Sequence, residues 1–146
     1  MHELSTVLLV EDNPDDADLI AYAFEKAGVA NPLVILGDGD VAVAYFEGRG
    51  VYSDRHRHPL PGLVLLDLKL PRRSGFDVLR AIRADRAAKH TPVVVLTSSN
   101  QDADIERAYA LHANSYLVKP IRRDALLAMV VTLDAYWIKL NRSAPV

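Results

Sequence analysis

The chain has no cysteine. Disulfides, thiolate nucleophiles and thiolate metal sites are therefore excluded, and the composition suits a reducing compartment. A surplus of basic charge is missing too. With 17 Lys+Arg against 19 Asp+Glu the formal charge is −2, and a field of that sign repels nucleic acid rather than collecting it. No apolar run approaches the roughly 18 residues a membrane span needs. The start, MHELSTVLLVED, carries neither the basic beginning nor the cleavage site of a secretory signal. The expectation is a cytoplasmic protein that engages neither membrane nor nucleic acid. Repeats and low-complexity tracts are also lacking. A length of 146 residues at 50% hydrophobic fits a single domain over 1–146, its core spanning about 6–140.

What is present is an alternation. Residues 6–10 (TVLLV) are continuously apolar and branched, as in a strand covered on both faces, and end in Glu11 and Asp12. Asn13 and Pro14 open a helix, Asp15 and Asp16 suit its positive end, and Gly28 closes it, with Leu19, Ile20, Ala23, Phe24 and Ala27 facing inward. The runs 33–36 (LVIL), 63–66 (LVLL), 93–96 (VVVL) and 116–118 read as four further strands. Stretches 41–46, 76–82, 103–111 and 124 to about 140 read as helices between and after them. Such a βα repeat predicts a parallel sheet with helices on both faces and right-handed crossovers.

In sheets of this kind the site lies beyond the carboxyl ends of the strands. Polar residues end four of the predicted strands there: Glu11 and Asp12, Asp67, Thr97, and Lys119. Three carboxylates gathered within a few ångströms repel one another and raise at least one pKa unless a cation neutralises them. A divalent ion is implied. The donors are oxygens, without Cys or a well-placed His, so Mg²⁺ fits better than zinc. Carboxylates, a metal and one lysine suit phosphoryl transfer, and a carboxylate can itself be the nucleophile, forming an acyl phosphate.

Glu11-Asp12, Asp67 with Pro71 and Gly75 (DxxxPxxxG), Thr97-Ser98, Tyr116 and Lys119-Pro120 match in order and spacing the pattern of response regulator receivers. The chain resembles a CheY-like receiver from about Thr6 to the final helix. The resemblance implies an α/β fold, a flavodoxin-like (βα)5 three-layer sandwich with a five-stranded parallel sheet in the order 2-1-3-4-5. It implies Asp67 as phospho-acceptor, Asp12 as a direct Mg²⁺ ligand, Glu11 as a ligand through water, and Lys69 offering its backbone carbonyl. Lys119 would pair with phosphoryl oxygens and precede a cis Pro120. Thr97 and Tyr116 would form the switch pair that biases the fourth helix and fifth strand between two packings. Lys69 replaces the family's frequent Asn, which bears on the rate of autodephosphorylation.

A narrower likeness concerns partners. The NPDDADL start of the first helix, the longer segment before the third strand and the terminal Tyr136-Trp137 resemble stand-alone regulators paired with bacterial phytochrome histidine kinases. The kinase would contact the first helix and the loop after Lys119. In the last helix Leu126, Met129, Val130, Leu133, Trp137 and Leu140 form one apolar stripe, and Leu127, Val131 and Ile138 a second. The surplus predicts an exposed face for a homodimer or partner through helix 4, strand 5 and helix 5, with readout by a downstream protein. The RHRH run at 55–58 reads as a solvated basic loop rather than a metal site. A phosphatase of the haloacid dehalogenase type needs a second Asp where Lys69 stands, and a flavodoxin needs a phosphate-cradling glycine loop after the first strand. A DNA-binding regulator needs an appended helix-turn-helix. The expected protein is not an enzyme toward external substrates; its chemistry is confined to self-phosphorylation and autodephosphorylation.

Overall fold

The computed structural model describes residues 4–120 and 122–145. Its elements, in chain order, are β1 (Val7–Val10), α1 (Pro14–Lys26), β2 (Leu33–Leu36), α2 (Gly39–Glu47), a 3-10 turn (Gly50–Ser53), β3 (Leu63–Leu66), α3 (Gly75–Ala84), β4 (Val93–Thr97), α4 (Asp102–Ala110), β5 (Ser115–Val118), α5 (Arg123–Leu133) and a π-helical segment (Asp134–Leu140). The strands form one parallel sheet, as the βα alternation predicts, in the order β2-β1-β3-β4-β5 that the receiver resemblance implies.

Every residue of β1, β3 and β4 is buried, which is why these strands read as unbroken apolar runs rather than alternating ones. Successive side chains supply opposite layers. Leu8, Val10, Val64, Leu66, Val93 and Val95 pack under α2 and α3. Val7, Leu9, Leu63, Leu65, Val94 and Leu96 pack under α1 and α5. Burial of each such side chain contributes roughly 1.5–3 kcal/mol of hydrophobic free energy. Helix starts follow the sequence signals: Asn13 Oδ1 accepts from the Asp15 and Asp16 amides, and Asp38 Oδ1 from those of Asp40 and Val41. Gly48, at φ +68°, takes the left-handed conformation that ends α2.

Two regions differ from expectation. The RHRH run is not simply solvated: the Arg55 guanidinium donates to the carbonyls of Tyr45 (2.8 Å), Phe46 (2.9 Å) and His58 (3.1 Å). It thereby satisfies the open carbonyls at the end of α2, while His58 packs edge-on against Tyr45 and Tyr52. At the other end of the chain the α-helical period stops at Leu133. The wider π turn then rotates the apolar stripe, so that Trp137 and Ile138 lean together on the core and Leu140 is 71% exposed. Among the described residues no helix is long and apolar enough to cross a membrane.

Candidate functional site

Parallel pairing places the strand ends in register. Val10 lies beside Leu66, Leu66 beside Val95, and Thr97 beside Val118. The ladder continues one residue further: Asp67 N–H donates to the Val10 carbonyl (3.0 Å), Glu11 N–H to Leu36 (2.9 Å) and Lys119 N–H to Thr97 (2.8 Å). The backbones of Glu11, Asp67, Thr97 and Lys119 are thus fixed by the sheet itself.

The Lys119 ammonium is the centre of the cluster. It lies 2.8 Å from Asp67 Oδ2, 2.9 Å from Asp16 Oδ2 and 2.5 Å from Glu11 Oε1. The contact with Glu11 is an ion pair out of line for a hydrogen bond, and Oε1 has no hydrogen-bond partner. Burial works against the Lys119 charge, but the three carboxylates outweigh it and hold the ammonium above its usual pKa. Burial likewise pushes Asp67 upward, but the neighbouring polar and charged groups, Lys119 foremost, together more than reverse this and leave Asp67 below the usual range. Glu11, 2% exposed, goes the other way. Burial, reinforced by the neighbouring Asp67 charge, outweighs Lys119 and pushes its carboxyl up to about 7.

Glu11, Asp12 and Asp67 each offer a carboxylate oxygen within 4.8 Å of the others. With an all-oxygen donor set and an unsatisfied oxygen on buried Glu11, the cluster fits a hard divalent cation. Lys69 has an exposed side chain, and its amide lies 3.4 Å from Asp67 Oδ1, which takes a shorter bond of 2.7 Å from the Leu68 amide.

Thr97 is 1% exposed and its Oγ1 has no partner. Tyr116 is half-buried, with its hydroxyl donating to the Ser99 carbonyl (2.9 Å), so the ring is tied to the loop after β4. The described residues contain no cis peptide bond, and the expected cis Lys119–Pro120 is trans. Trans is the favoured isomer even before proline, by about 0.5–1 kcal/mol, and from it Lys119 already reaches all three carboxylates. Ile121, in the loop after Lys119, lies outside the described residues. In sequence Asp16 reads only as a helix-end charge, and its bond to Lys119 appears first in the structure. The available signal was its place in the first turn of α1, which starts at the same sheet edge. Gly75, recognised as part of a spacing, has a steric role: a Cβ there would stand 2.1 Å from the Asp67 carbonyl oxygen. The start of α3 can rest on the Asp67 backbone only without a side chain.

With this geometry the chain matches the response regulator receiver domain over residues 7–131, and it belongs to that family: a phospho-acceptor domain of two-component signalling. Among relatives, it is 43% identical to the probable methanogenesis regulatory protein FilR2 of Methanothrix harundinacea, over 94% of this chain and 86% of that protein. It is 37% identical to response regulator Rcp1 of Synechocystis, over 91% of this chain and 88% of that one, and the Mn²⁺-bound form of an Rcp1 superposes with a TM-score of 0.86 at 35% identity, covering 97% and 99% of the two chains. The phosphorylated cyanobacterial phytochrome response regulator RcpA superposes with a TM-score of 0.90 at 34% identity, covering 98% of this chain and 100% of the other.

Proposed function

We propose that Asp67 is the acceptor, and that its donor is the phosphohistidine of a histidine kinase of the bacterial phytochrome class. The observation that carries the first part is a 6%-exposed carboxylate paired at 2.8 Å with Lys119 beside two further acidic groups. Likeness to RcpA, a phytochrome response regulator, supports the second. An Asp67 oxygen attacks phosphorus and forms the P–O bond of an acyl phosphate. The P–N bond to the kinase imidazole breaks, and its electron pair returns to the ring nitrogen. Asp12, Asp67, the Lys69 carbonyl and, through water, Glu11 would hold Mg²⁺, which supplies charge neutralisation for the phosphoryl oxygens. Lys119 exchanges part of its carboxylate contact for a phosphoryl oxygen. Thr97, with an uncommitted hydroxyl, donates to another, and Tyr116 leaves the Ser99 carbonyl to follow it.

Lys69, in place of a second acid, leaves hydrolysis of the domain's own acyl phosphate as the only turnover; the protein is not an enzyme toward external esters. The output face is α4, β5 and α5, where Val118 and Val131 are 42% and 50% exposed, with a groove of about 450 Å³ between β5 and the last helix lined by Leu117, Ala125, Met129 and Tyr136 of the π-helical segment. It serves a homodimer and a downstream protein. The kinase meets α1, where Tyr22 is 50% exposed beside Arg123, and the loop after Lys119. A cytoplasmic location accords with this chemistry. Incubation with an autophosphorylated phytochrome kinase and Mg²⁺ should transfer label to the protein, and chelator or Asp67→Asn should abolish the transfer. Label retained by the variant in acid-stable form would show a different acceptor, and transfer in excess chelator would defeat the metal assignment.

A further inference from the structure

A groove of about 600 Å³ lies at the amino-terminal edge of the sheet, opposite Asp67, between the end of α3, the approach to β4, the α4–β5 turn and the chain beyond the π-helical segment. Its charged lining is of one sign, Arg83, Lys89 and Arg142, joined by the imidazoles of His90 and His112 and without a carboxylate among the lining residues. Among the described residues Arg83, Lys89 and Arg142 form no salt bridge.

Arg83 explains how such a wall is held. Its Nε and Nη2 donate to the His112 carbonyl (3.0 and 2.8 Å), Nη1 to the carbonyls of Thr91 (2.7 Å) and Lys89 (3.2 Å), and Nη2 also to Asn114 Oδ1 (2.8 Å). Every acceptor is neutral. The guanidinium is saturated in hydrogen bonds, yet its charge is uncompensated, and the backbone on both sides of the groove is pinned in place before any ligand arrives. Burial lowers the Arg83 pKa, with no acidic neighbour to oppose it. His112 stands at the same edge. It follows α4 at φ +70°, a left-handed turn conformation in which glycine would be freer, and it brings an imidazole to the groove lining.

We propose that this groove binds a small, multiply charged phosphate anion, an inorganic oligophosphate or the phosphate chain of a nucleotide, contacted by Lys89, His112 and Arg142 over the fixed charge of Arg83. Several cations around one small cavity call for several negative charges close together. The net charge of −2 opposes a long nucleic acid but bears little on a small anion within the groove. The site is separate from the acyl-phosphate chemistry.

The only tryptophan, Trp137, lines the groove and reports on it. The full chain, in EDTA, is titrated with tripolyphosphate, with ATP and with hexa-aspartate while Trp137 fluorescence is followed and calorimetry run in parallel. The proposal expects saturable binding of tripolyphosphate that weakens with salt. It expects affinity to fall roughly tenfold or more in the double variant Lys89→Glu/Arg142→Glu, with acetyl phosphate labelling of Asp67 unchanged. His112→Gly, which relieves the backbone, should keep or raise the melting temperature while weakening the anion. Tighter binding of ATP would identify a nucleotide as the source, and equal binding the phosphate chain alone. No saturable response to either phosphate, an unchanged affinity in the double variant, or binding of hexa-aspartate only would overturn the proposal.

Discussion

Replacing Lys119 with methionine removes one ammonium from three carboxylates while keeping most of the aliphatic stem. The partners do not count equally. Glu11 and Asp67 side chains are 1% and 7% exposed, whereas Asp16 is 37% exposed and largely screened by water. The loss is therefore that of a buried pair stripped of one member, about 3–5 kcal/mol. In urea unfolding at pH 8 with EDTA the midpoint should fall by the equivalent of about 3 kcal/mol with an unchanged slope. The deficit should shrink at pH 6. Glu11, already at about 7 with the ammonium beside it, is driven higher without it and escapes by taking up a proton. Mg²⁺ at pH 8 should recover part of the loss. A deficit under about 1 kcal/mol, the size of a surface pair, or one indifferent to pH would refute the reading of Lys119 as the charge that holds this cluster together.

Glu11→Gln tests the same electrostatics with the opposite sign. Because the folded-state value of about 7 lies above the ordinary 4.5, the folded chain holds the proton more tightly than the unfolded one. The cost of the buried carboxylate is absent below about pH 4.5 and complete above about pH 7. Without metal the variant should be more stable than the parent by on the order of 3 kcal/mol at pH 8, with the difference gone near pH 4; urea unfolding at the two pH values measures it, and an equal difference at both would contradict the account. Gly75→Ala sets a Cβ against the backbone of Asp67 and Leu68 and should cost about 2–3 kcal/mol in thermal unfolding, with slower labelling by acetyl phosphate; a neutral effect would mean α3 does not bear on the acceptor strand. Thr97→Val removes a buried hydroxyl that has no partner, so stability should hold or rise by about 1 kcal/mol. The phosphorylation-dependent shift of the Tyr116 ring signals in NMR should vanish, and its persistence would remove Thr97 from the switch.

Much of this architecture is legible in local chemistry. Buried strands announce themselves as short branched runs because both of their faces are covered, as with Leu63–Leu66. Asn13 and Pro14 mark a helix start because the cap needs a side-chain acceptor and the first turn needs no amide. The strand order came from family likeness, since alternation alone is compatible with several orders. What stayed hidden depends on contacts between distant segments. Asp16 meets Lys119 across 103 residues of sequence, and Arg55 reaches back to the end of α2; neither has a periodicity to betray it. The π-helical turn at Asp134 was invisible for a different reason, because its apolar residues suit an α-helix equally well. Trp137 and Ile138 lean on the core across the wider turn, and Lys139 pairs with Asp134 five residues back at 2.6 Å, the π spacing.

Phosphoryl signalling by this chain depends on Asp67 as the acceptor. Its most direct test is incubation with Mg²⁺ and acetyl phosphate, followed by intact mass spectrometry and mapping of the modified peptide. A single phosphoryl adduct on Asp67, absent in chelator, is the predicted result. A folded, metal-binding protein that takes no adduct, or takes it at another residue, would contradict it.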